Sequence, residues 1–315
     1  MEKLKQALAH PLFRPLRALY VWQHQQLIFG HDAYGPAGIY TPHEIQSTTK
    51  SLIALLVSIL QAQGKLPGED SPIYDYFPEY HHLDWQNGKD RITLRDLLTM
   101  RAGIDWNEGL VPYTQWLANH SNQMAQSQDW VEFALSRPMA HLPGQVFQYS
   151  SAHPILLTKI IAQATQKETA TWLKEKLFAP LNIVDFWAPT SPHDPAIIGD
   201  LEMYPLDLLK IGQLVQQNGV WQGQEIIPPD RLEALLSPRV VLPEGVRYGA
   251  MWWQQAFGPD KEKLIYTWGY GGQHLFILPR RHMVVLTMGR FYQVDMAREP
   301  WQLLEICREV FNSLL

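Results

Sequence analysis

Ser47 and Lys50 stand three residues apart just before an apolar stretch, and their side chains have the chemistry of a nucleophile and a base. Ser47 is the only one of the twelve serines with a lysine three residues later, and the apolar run covers residues 52–60. In a helix, residues three apart share a face, so the Lys50 amine would lie beside the Ser47 hydroxyl. A buried position disfavours the charged form of lysine, and a neutral amine can take a proton from serine. The spacing also fits an ordinary helix cap followed by a solvated lysine.

Tyr149 is a second candidate, because it is the only one of the thirteen tyrosines with a serine or asparagine two residues later. A phenol beside a serine and a lysine can relay a proton to a leaving group. This requires nearby positive charge to lower the pKa of the phenol toward the working range. The alternative is a core tyrosine whose hydroxyl is satisfied by a hydrogen bond.

A glycine-rich segment, residues 266–273, comes just before the strand-like residues 274–279. Glycines at the edge of a strand let a substrate approach the main chain, where an exposed N–H can stabilise an oxyanion. A bulge or a hairpin turn is the alternative. Together, a Ser/Lys pair, a tyrosine and a glycine-rich strand in this order favour an acyl-transfer site.

This ordered set resembles the serine hydrolases related to class C β-lactamases, penicillin-binding proteins and D,D-peptidases, including their esterase and amide-hydrolase relatives. Ser47-Thr48-Thr49-Lys50 matches S-x-x-K, and Tyr149-Ser150-Ser151 matches Y-x-N/S. The likeness covers most of the chain, including residues 95–103, 207–214, 218–221, 248–253 and 269–273. It implies an α+β, β-lactamase-like fold, in which helices flank an antiparallel sheet and the active site lies between the sheet and a mainly helical inserted lobe.

The same resemblance implies roles for individual residues. Ser47 would be the acylated nucleophile, Lys50 the base or hydrogen-bond partner that activates it, and Tyr149 a general base and acid. Which of Lys50 and Tyr149 deprotonates the serine stays open. The backbone N–H groups of Ser47 and Tyr270 would form the oxyanion hole. The substrate would contact Ser151, Thr267, Trp268 and Gly269.

Two departures from the family pattern bear on the substrate. Thr267-Trp268-Gly269 stands where β-lactamases and D,D-peptidases carry K-T-G, so the cation that meets a substrate carboxylate is missing. A charge-assisted contact of this kind contributes about 1.5 to 3 kcal/mol, or roughly one to two powers of ten in affinity. Ser151 replaces the common asparagine, and its hydroxyl can make only part of the hydrogen bonds of an amide.

These departures predict an esterase or amidase with weak or no β-lactamase or D,D-peptidase activity. Trp268 would form an aromatic wall beside the nucleophile and favour an apolar or aromatic acyl group, or an ester. Trp106 and Tyr113 either contribute to the same cleft or pack elsewhere. The alternative function is a non-catalytic or slowly acylated binding or sensor protein on the same scaffold.

Length and charge limit the other possibilities. A chain of 315 residues predicts two lobes, a discontinuous sheet lobe of residues 1–66 and 200–315 and a helical lobe of residues 67–199. A net charge of -5 without a basic cluster argues against nucleic acid as a partner. We expect a small-molecule ester or amide as the substrate, no membrane partner, and a monomer or weak homo-oligomer.

The chain also lacks signals for export, metals and cofactors. The single cysteine, Cys307, gives no sign of an oxidising compartment, and residues 1–11 lack the apolar core of a secretion signal, so we expect a cytoplasmic protein. His81, His82 and Asp84 lack a second set of ligands, so we expect a solvated loop, no metal and no cofactor. We expect these carboxylates to cap helices or face solvent: Asp96, Asp105, Glu202 and Asp207.

The elements that must position these residues follow from local patterns. A hairpin is predicted for residues 17–22 and 26–29, with its turn near His24 and Gln25. Helices are predicted for residues 47–63, 205–217 and 301–314. Strands are predicted for residues 248–253, 264–268, 275–278 and 283–288.

Overall fold

A computed structural model of the protein describes residues 14–290, together with Leu8. Its α-helices are α1 (Thr48–Ala62), α2 (Leu94–Leu98), α3 (His120–Gln126), α4 (Trp130–Ser136), α5 (Ala152–Thr165), α6 (Thr169–Trp172), α7 (Pro205–Gln216) and α8 (Pro229–Leu236). A π-helical turn, Leu173–Phe178, follows α6.

The strands within the same residues are short except at the two ends of the described chain. They are β1 (Leu16–Gln23), β2 (Gln26–Asp32), β3 (His43–Glu44), β4 (Phe186–Trp187), β5 (Glu202–Met203), β6 (Val220–Trp221), β7 (Gln224–Glu225), β8 (Val240–Val241), β9 (Arg247–Tyr248), β10 (Trp253–Phe257), β11 (Glu262–Tyr266), β12 (His274–Leu278) and β13 (Met283–Gly289).

The main sheet of the described residues is antiparallel and has the strand order β2-β1-β13-β12-β11-β10-β9-β8. Strand β1 pairs with β13, so the first and last strands described lie side by side in one sheet, next to the edge strand β2. Helix α7 packs on β12 and β13. The predicted α+β class, with an antiparallel sheet and flanking helices, is confirmed.

The predicted hairpin is confirmed as β1 and β2. Its two connecting residues, His24 and Gln25, have φ values of 46° and 64°. Two consecutive residues with positive φ match the right-handed twist of antiparallel strands, which is why such two-residue turns are favoured in hairpins.

Helix α1 is the central helix of the protein, and the prediction for residues 47–63 is confirmed to within a residue at either end. Every side chain from Thr48 to Leu60 is buried, because α1 packs against α5, α8 and the π-helical turn. A helix enclosed in this way holds its first turn rigidly, and that turn carries Ser47 and Lys50.

The single strand predicted over residues 248–253 was wrong. Residues 249–252 form a tight connection between β9 and β10, and Met251 has a φ of 58°. The N–H of Ala250 donates to Leu235 O at 3.0 Å, and that of Met251 to Leu98 O at 3.0 Å. These apolar residues are buried against helices rather than paired in the sheet, a distinction that hydrophobicity alone does not carry.

Within the described residues, no helix has the length and apolar character needed to cross a bilayer. The predicted helix 301–314 and Cys307 lie outside the described residues. The division into two lobes stays a prediction, although all strands of the main sheet fall within residues 16–32 and 240–289.

Candidate active site

Ser47 is the residue immediately before α1, and the chain is held tightly on both sides of it. Gln46 has a φ of 50°, a conformation that non-glycine residues adopt rarely. On the other side, the Thr48 hydroxyl lies 3.0 Å from the Thr267 hydroxyl and donates to Gln273 O at 3.0 Å. The start of α1 is therefore fixed to the end of β11 and the start of β12.

The structure brings the three candidate catalytic side chains together. Lys50 Nζ lies 2.6 Å from Ser47 Oγ and 3.0 Å from Ser151 Oγ. Tyr149 lines the same cavity as Ser47, and Lys50 Nζ lies 5.1 Å from the centre of the Tyr149 ring. An alcohol, an amine and a phenol thus meet at one point, as an acyl-transfer site requires.

The sequence analysis missed Glu108, a fully buried carboxylate beside this cluster. It accepts hydrogen bonds from Trp106 Nε1 at 2.8 Å and from Tyr113 Oη at 2.5 Å. Both the N–H and the hydroxyl of Ser151 also donate to it, at 2.6 and 2.7 Å. Because Ser151 accepts from Lys50, a hydrogen-bonded chain runs from Ser47 through Lys50 and Ser151 to Glu108. The one available signal was its place between Trp106 and Tyr113, two residues already considered for the cleft.

Burial alone would raise the pKa of Glu108. The charge of Lys50 and the hydrogen bonds from Ser151, Tyr113 and Trp106 outweigh burial, so the pKa of Glu108 lies below its usual value. Glu108 is therefore an ionised carboxylate at neutral pH, and it supplies a negative charge to the site.

The proton-relay role of Tyr149 was conditional on a lowered pKa of the phenol, and this condition is not met. Burial, followed by the charge of Glu108, raises the pKa of Tyr149 well above its usual value, and the hydrogen bond with Ser47 offsets only part of this rise. The neutral phenol is thus the resting form of Tyr149. A neutral phenol is ready to donate a proton rather than to accept one.

We expect Glu108→Gln to destabilise the protein by about 3 kcal/mol or more at neutral pH, because an ionised acceptor of four hydrogen bonds is lost. The pKa of Glu108 is lower in the folded than in the unfolded protein, so its stabilising contribution is complete above the unfolded value and is lost as pH falls through the folded one. Urea unfolding of wild type and Glu108→Gln should show that the difference between their free energies of unfolding becomes smaller below about pH 4.5, the usual carboxyl range. An equal difference at pH 7 and pH 3.5 would contradict this.

Aromatic side chains line a cavity of about 280 Å³ at Ser47. Trp268 faces it, as predicted for an aromatic wall, and its ring lies 5.3 Å from that of Trp253, which the sequence analysis had not assigned to the site. Tyr113 also lines the cavity and packs on Tyr270 at 4.7 Å. Trp106, by contrast, is a buried core residue that reaches the site only through Glu108.

Thr267 and Gly269 do not face this cavity. The Thr267 side chain is completely buried and contacts Thr48. A Cβ atom on Gly269 would lie 2.5 Å from Ile45 O. Successive side chains of an extended segment point to opposite sides, so within this triplet Trp268 alone reaches the cleft. Thr267 and Gly269 were expected to contact the substrate, and the structure corrects this expectation.

Gly269→Ala should destabilise the protein by roughly 1 to 3 kcal/mol, since overpacking of this kind forces the backbone to move. Gly68→Ala is the matched control, because nothing lies within 4 Å of the Cβ it would add. Urea denaturation of both variants checks the prediction. Equal stability of the two variants would contradict the prediction, because it would show that the main chain at Ile45 can move without a loss of stability.

The oxyanion hole formed by the N–H groups of Ser47 and Tyr270 stays a prediction. Tyr270 lies at the cavity, directly after Gly269, and Ser47 lines the same cavity. Among the described residues, no hydrogen bond uses the Ser47 N–H as its donor.

The four carboxylates that were expected to cap helices or face solvent do not line the cavity at Ser47. Asp96 forms a capping box with Thr93 at the start of α2, and Asp207 accepts from Lys210 at 2.7 Å in the first turn of α7. Asp105 pairs with Arg137 at 3.0 Å. Glu202 belongs to β5. Across residues 14–290, no group of three His, Cys, Asp or Glu side chains is placed to hold a metal ion.

Comparisons with known proteins bear on this geometry. Residues 5–306 match the family described as Beta-lactamase. Protein flp of Staphylococcus aureus (strain MW2) is 24% identical over 143 residues, which are 45% of this chain and only 27% of that relative. The chain therefore spans about a quarter of the length of the curated relative it matches.

Two solved structures share the fold over nearly the whole chain. A Bacillus anthracis protein provisionally described as a 6-aminohexanoate-dimer hydrolase has a TM-score of 0.79 at 19% identity, covering 99% of this chain and 82% of that chain. A class C β-lactamase from Rhodobacter sphaeroides has a TM-score of 0.73 at 14% identity, covering 100% and 99%. Identities this low show a common fold alone. Because the family match covers almost the whole sequence, the chain belongs to the Beta-lactamase family.

Proposed function

We propose that the protein is a serine hydrolase that cleaves an ester or amide bond through an acyl ester on Ser47. The observation that carries the proposal is the 2.6 Å contact between Lys50 Nζ and Ser47 Oγ, at the wall of an open cavity that Ser47 and Tyr149 both line. Membership of the Beta-lactamase family supports a serine hydrolase at the level of the family.

In the proposed mechanism, Lys50 first releases a proton to solvent, and Ser47 Oγ then attacks the carbonyl carbon while its own proton passes to the neutral Lys50 Nζ. The N–H groups of Ser47 and Tyr270 stabilise the oxyanion. Tyr149 gives its phenolic proton to the leaving oxygen or nitrogen and regains one from Lys50. Water then attacks the acyl ester, and the same groups act in reverse to release Ser47.

The lining of the cavity supports an apolar or aromatic substrate group rather than a small charged peptide. The side chains that face Ser47 are aromatic, and Thr267, which stands where the family carries its cation, is buried and does not line the cavity. We therefore propose esterase or amidase activity, with weak or no β-lactamase or D,D-peptidase activity.

Fluorophosphonate labelling, combined with turnover of p-nitrophenyl esters of several chain lengths, tests the proposal. We expect one adduct, mapped by peptide mass to Ser47, and steady ester turnover. A chromogenic cephalosporin should be hydrolysed far more slowly than the best ester. Labelling without turnover would support the slowly acylated binding protein instead. Absence of any adduct would overturn both functions.

A further inference from the structure

A second cavity, of about 360 Å³, adjoins the candidate catalytic residues. Lys50 and Ser151 line it, whereas their neighbours Ser47 and Tyr149 line the aromatic one. The reacting centre therefore stands at the boundary between two compartments. Most of the second wall is apolar, with these side chains among its lining: Ile53, Met124, Trp130, Pro154, Ile155 and Ile198.

Asp200 is the carboxylate of this second compartment, and the fold holds it beside the first turn of α1. The N–H of the next residue, Leu201, donates to Thr49 Oγ1 at 2.8 Å, and Leu201 O accepts from Ile45 N at 2.9 Å. Both contacts flank the Ser47 position, so Asp200 cannot move away from the site without breaking them. The residue is exposed to solvent, although enough protein surrounds its carboxylate for burial to raise its pKa.

Asp200 has no ion pair or hydrogen bond with any residue in the described part of the chain. Burial raises the pKa of Asp200; the charge of Lys50 lowers it, and the charges of Glu108 and Glu44 raise it further. A carboxylate in this position lacks a partner cation.

Lys50 cannot fully serve as that partner, because it is already engaged on its other side. Its Nζ donates to Ser47 and Ser151, and Ser151 donates in turn to the ionised Glu108. The site thus holds two carboxylates, Glu108 and Asp200, around one cation. Of these two carboxylates, Asp200 is the one without a hydrogen-bonded partner among the described residues, and it lines the second cavity.

We propose that this cavity is a subsite for a positively charged, amine-derived group of the substrate, with Asp200 as its counter-ion. The inference rests on the proposed hydrolase function and names the substrate class more closely: esters or amides that carry a cation a few bonds from the carbonyl. The apolar walls hold the methylene chain, and the aromatic cavity takes the other side of the scissile bond. This charge preference is the opposite of that expected for a carboxylate-bearing β-lactam.

The test uses pairs of p-nitrophenyl esters that differ only in charge, a trimethylammonium group against its neutral tert-butyl isostere. In the first series, two to six methylene groups separate the trimethylammonium or tert-butyl group from the carbonyl carbon. In a second series of alkyl esters, the trimethylammonium or tert-butyl group is carried by the alcohol instead of the acid. We expect the wild type to prefer the cationic member of the best pair by about tenfold or more in kcat/KM. In Asp200→Asn the ratio should fall below about threefold.

Glu202→Gln is the matched control, because it removes a carboxylate two residues away that lines neither compartment. It should keep the wild-type ratio. The inference is overturned if wild type shows no preference in either series, or if Asp200→Asn keeps it.

Calorimetric titration with hexyltrimethylammonium gives a readout that needs no turnover. We expect binding to wild type that is weakened about tenfold or more in Asp200→Asn and retained in Glu202→Gln. Binding of hexyltrimethylammonium without labelling of Ser47 would support the subsite and contradict the hydrolase function. Ester turnover without a charge preference and without binding of hexyltrimethylammonium would support the hydrolase function and contradict the subsite.

Discussion

Ser47→Ala is expected to lower kcat/KM for p-nitrophenyl esters by roughly 10⁴- to 10⁶-fold, the range seen when a catalytic nucleophile is removed from a unit that works together. Folding should be little affected, since the Ser47 side chain makes no capping hydrogen bond to α1. The loss would thus be chemical rather than structural. Steady-state kinetics with urea unfolding of the same samples separates the two.

Ser58→Ala provides the control for this experiment, because it makes the same change in the same buried helix, away from either cavity. We expect it to keep wild-type turnover to within a few fold. If Ser47→Ala retained more than about one hundredth of the activity, Ser47 would not be the nucleophile, and the covalent mechanism would fail with it.

The pairing of Ser47 with Lys50 could be predicted because it is local. A spacing of three in a helix fixes which side chains meet, whatever the rest of the fold does. The hairpin of β1 and β2 could also be predicted, because its turn and its strands are contiguous in sequence. Tyr149 needed the family resemblance, because nothing local says that residue 149 meets residue 47.

Glu108 and Asp200 could not be predicted in the same way. Each lies in an irregular segment, and each reaches Lys50 only because tertiary packing folds that segment against α1. A carboxylate in a loop looks solvated when only its neighbours in sequence are known. The direction of the Tyr149 pKa was missed for the same reason, because the sequence showed neither the burial of the phenol nor the charge of Glu108 beside it.

The charges around Lys50 bear on both proposals. Glu108 is connected to Lys50 by hydrogen bonds through the Ser151 hydroxyl. The asparagine that is usual at position 151 would connect them differently, because an amide carries both donors and an acceptor. With Glu108 buried behind the amine, Tyr149 is kept neutral on the other side. The arrangement separates the roles of the two groups: the amine contacts the serine, and the phenol holds a proton.

Tyr149→Phe should therefore give a loss that depends on the leaving group. For an ethyl ester, whose alkoxide must be protonated as it departs, we expect kcat to fall by about 10²- to 10⁴-fold. For the p-nitrophenyl ester of the same acid, whose anion departs without a proton, the acylation rate should fall by less than about tenfold.

Tyr266→Phe is the matched control, because Tyr266 also stacks on Trp253 but does not line the cavity, and it should leave both rates nearly unchanged. The measurement is single-turnover acylation, which isolates the step from deacylation. Equal losses for both esters in Tyr149→Phe would mean that the phenol takes the serine proton. The raised pKa of Tyr149 would then have to fall on substrate binding, and Lys50 would act as a hydrogen-bond donor rather than as the base.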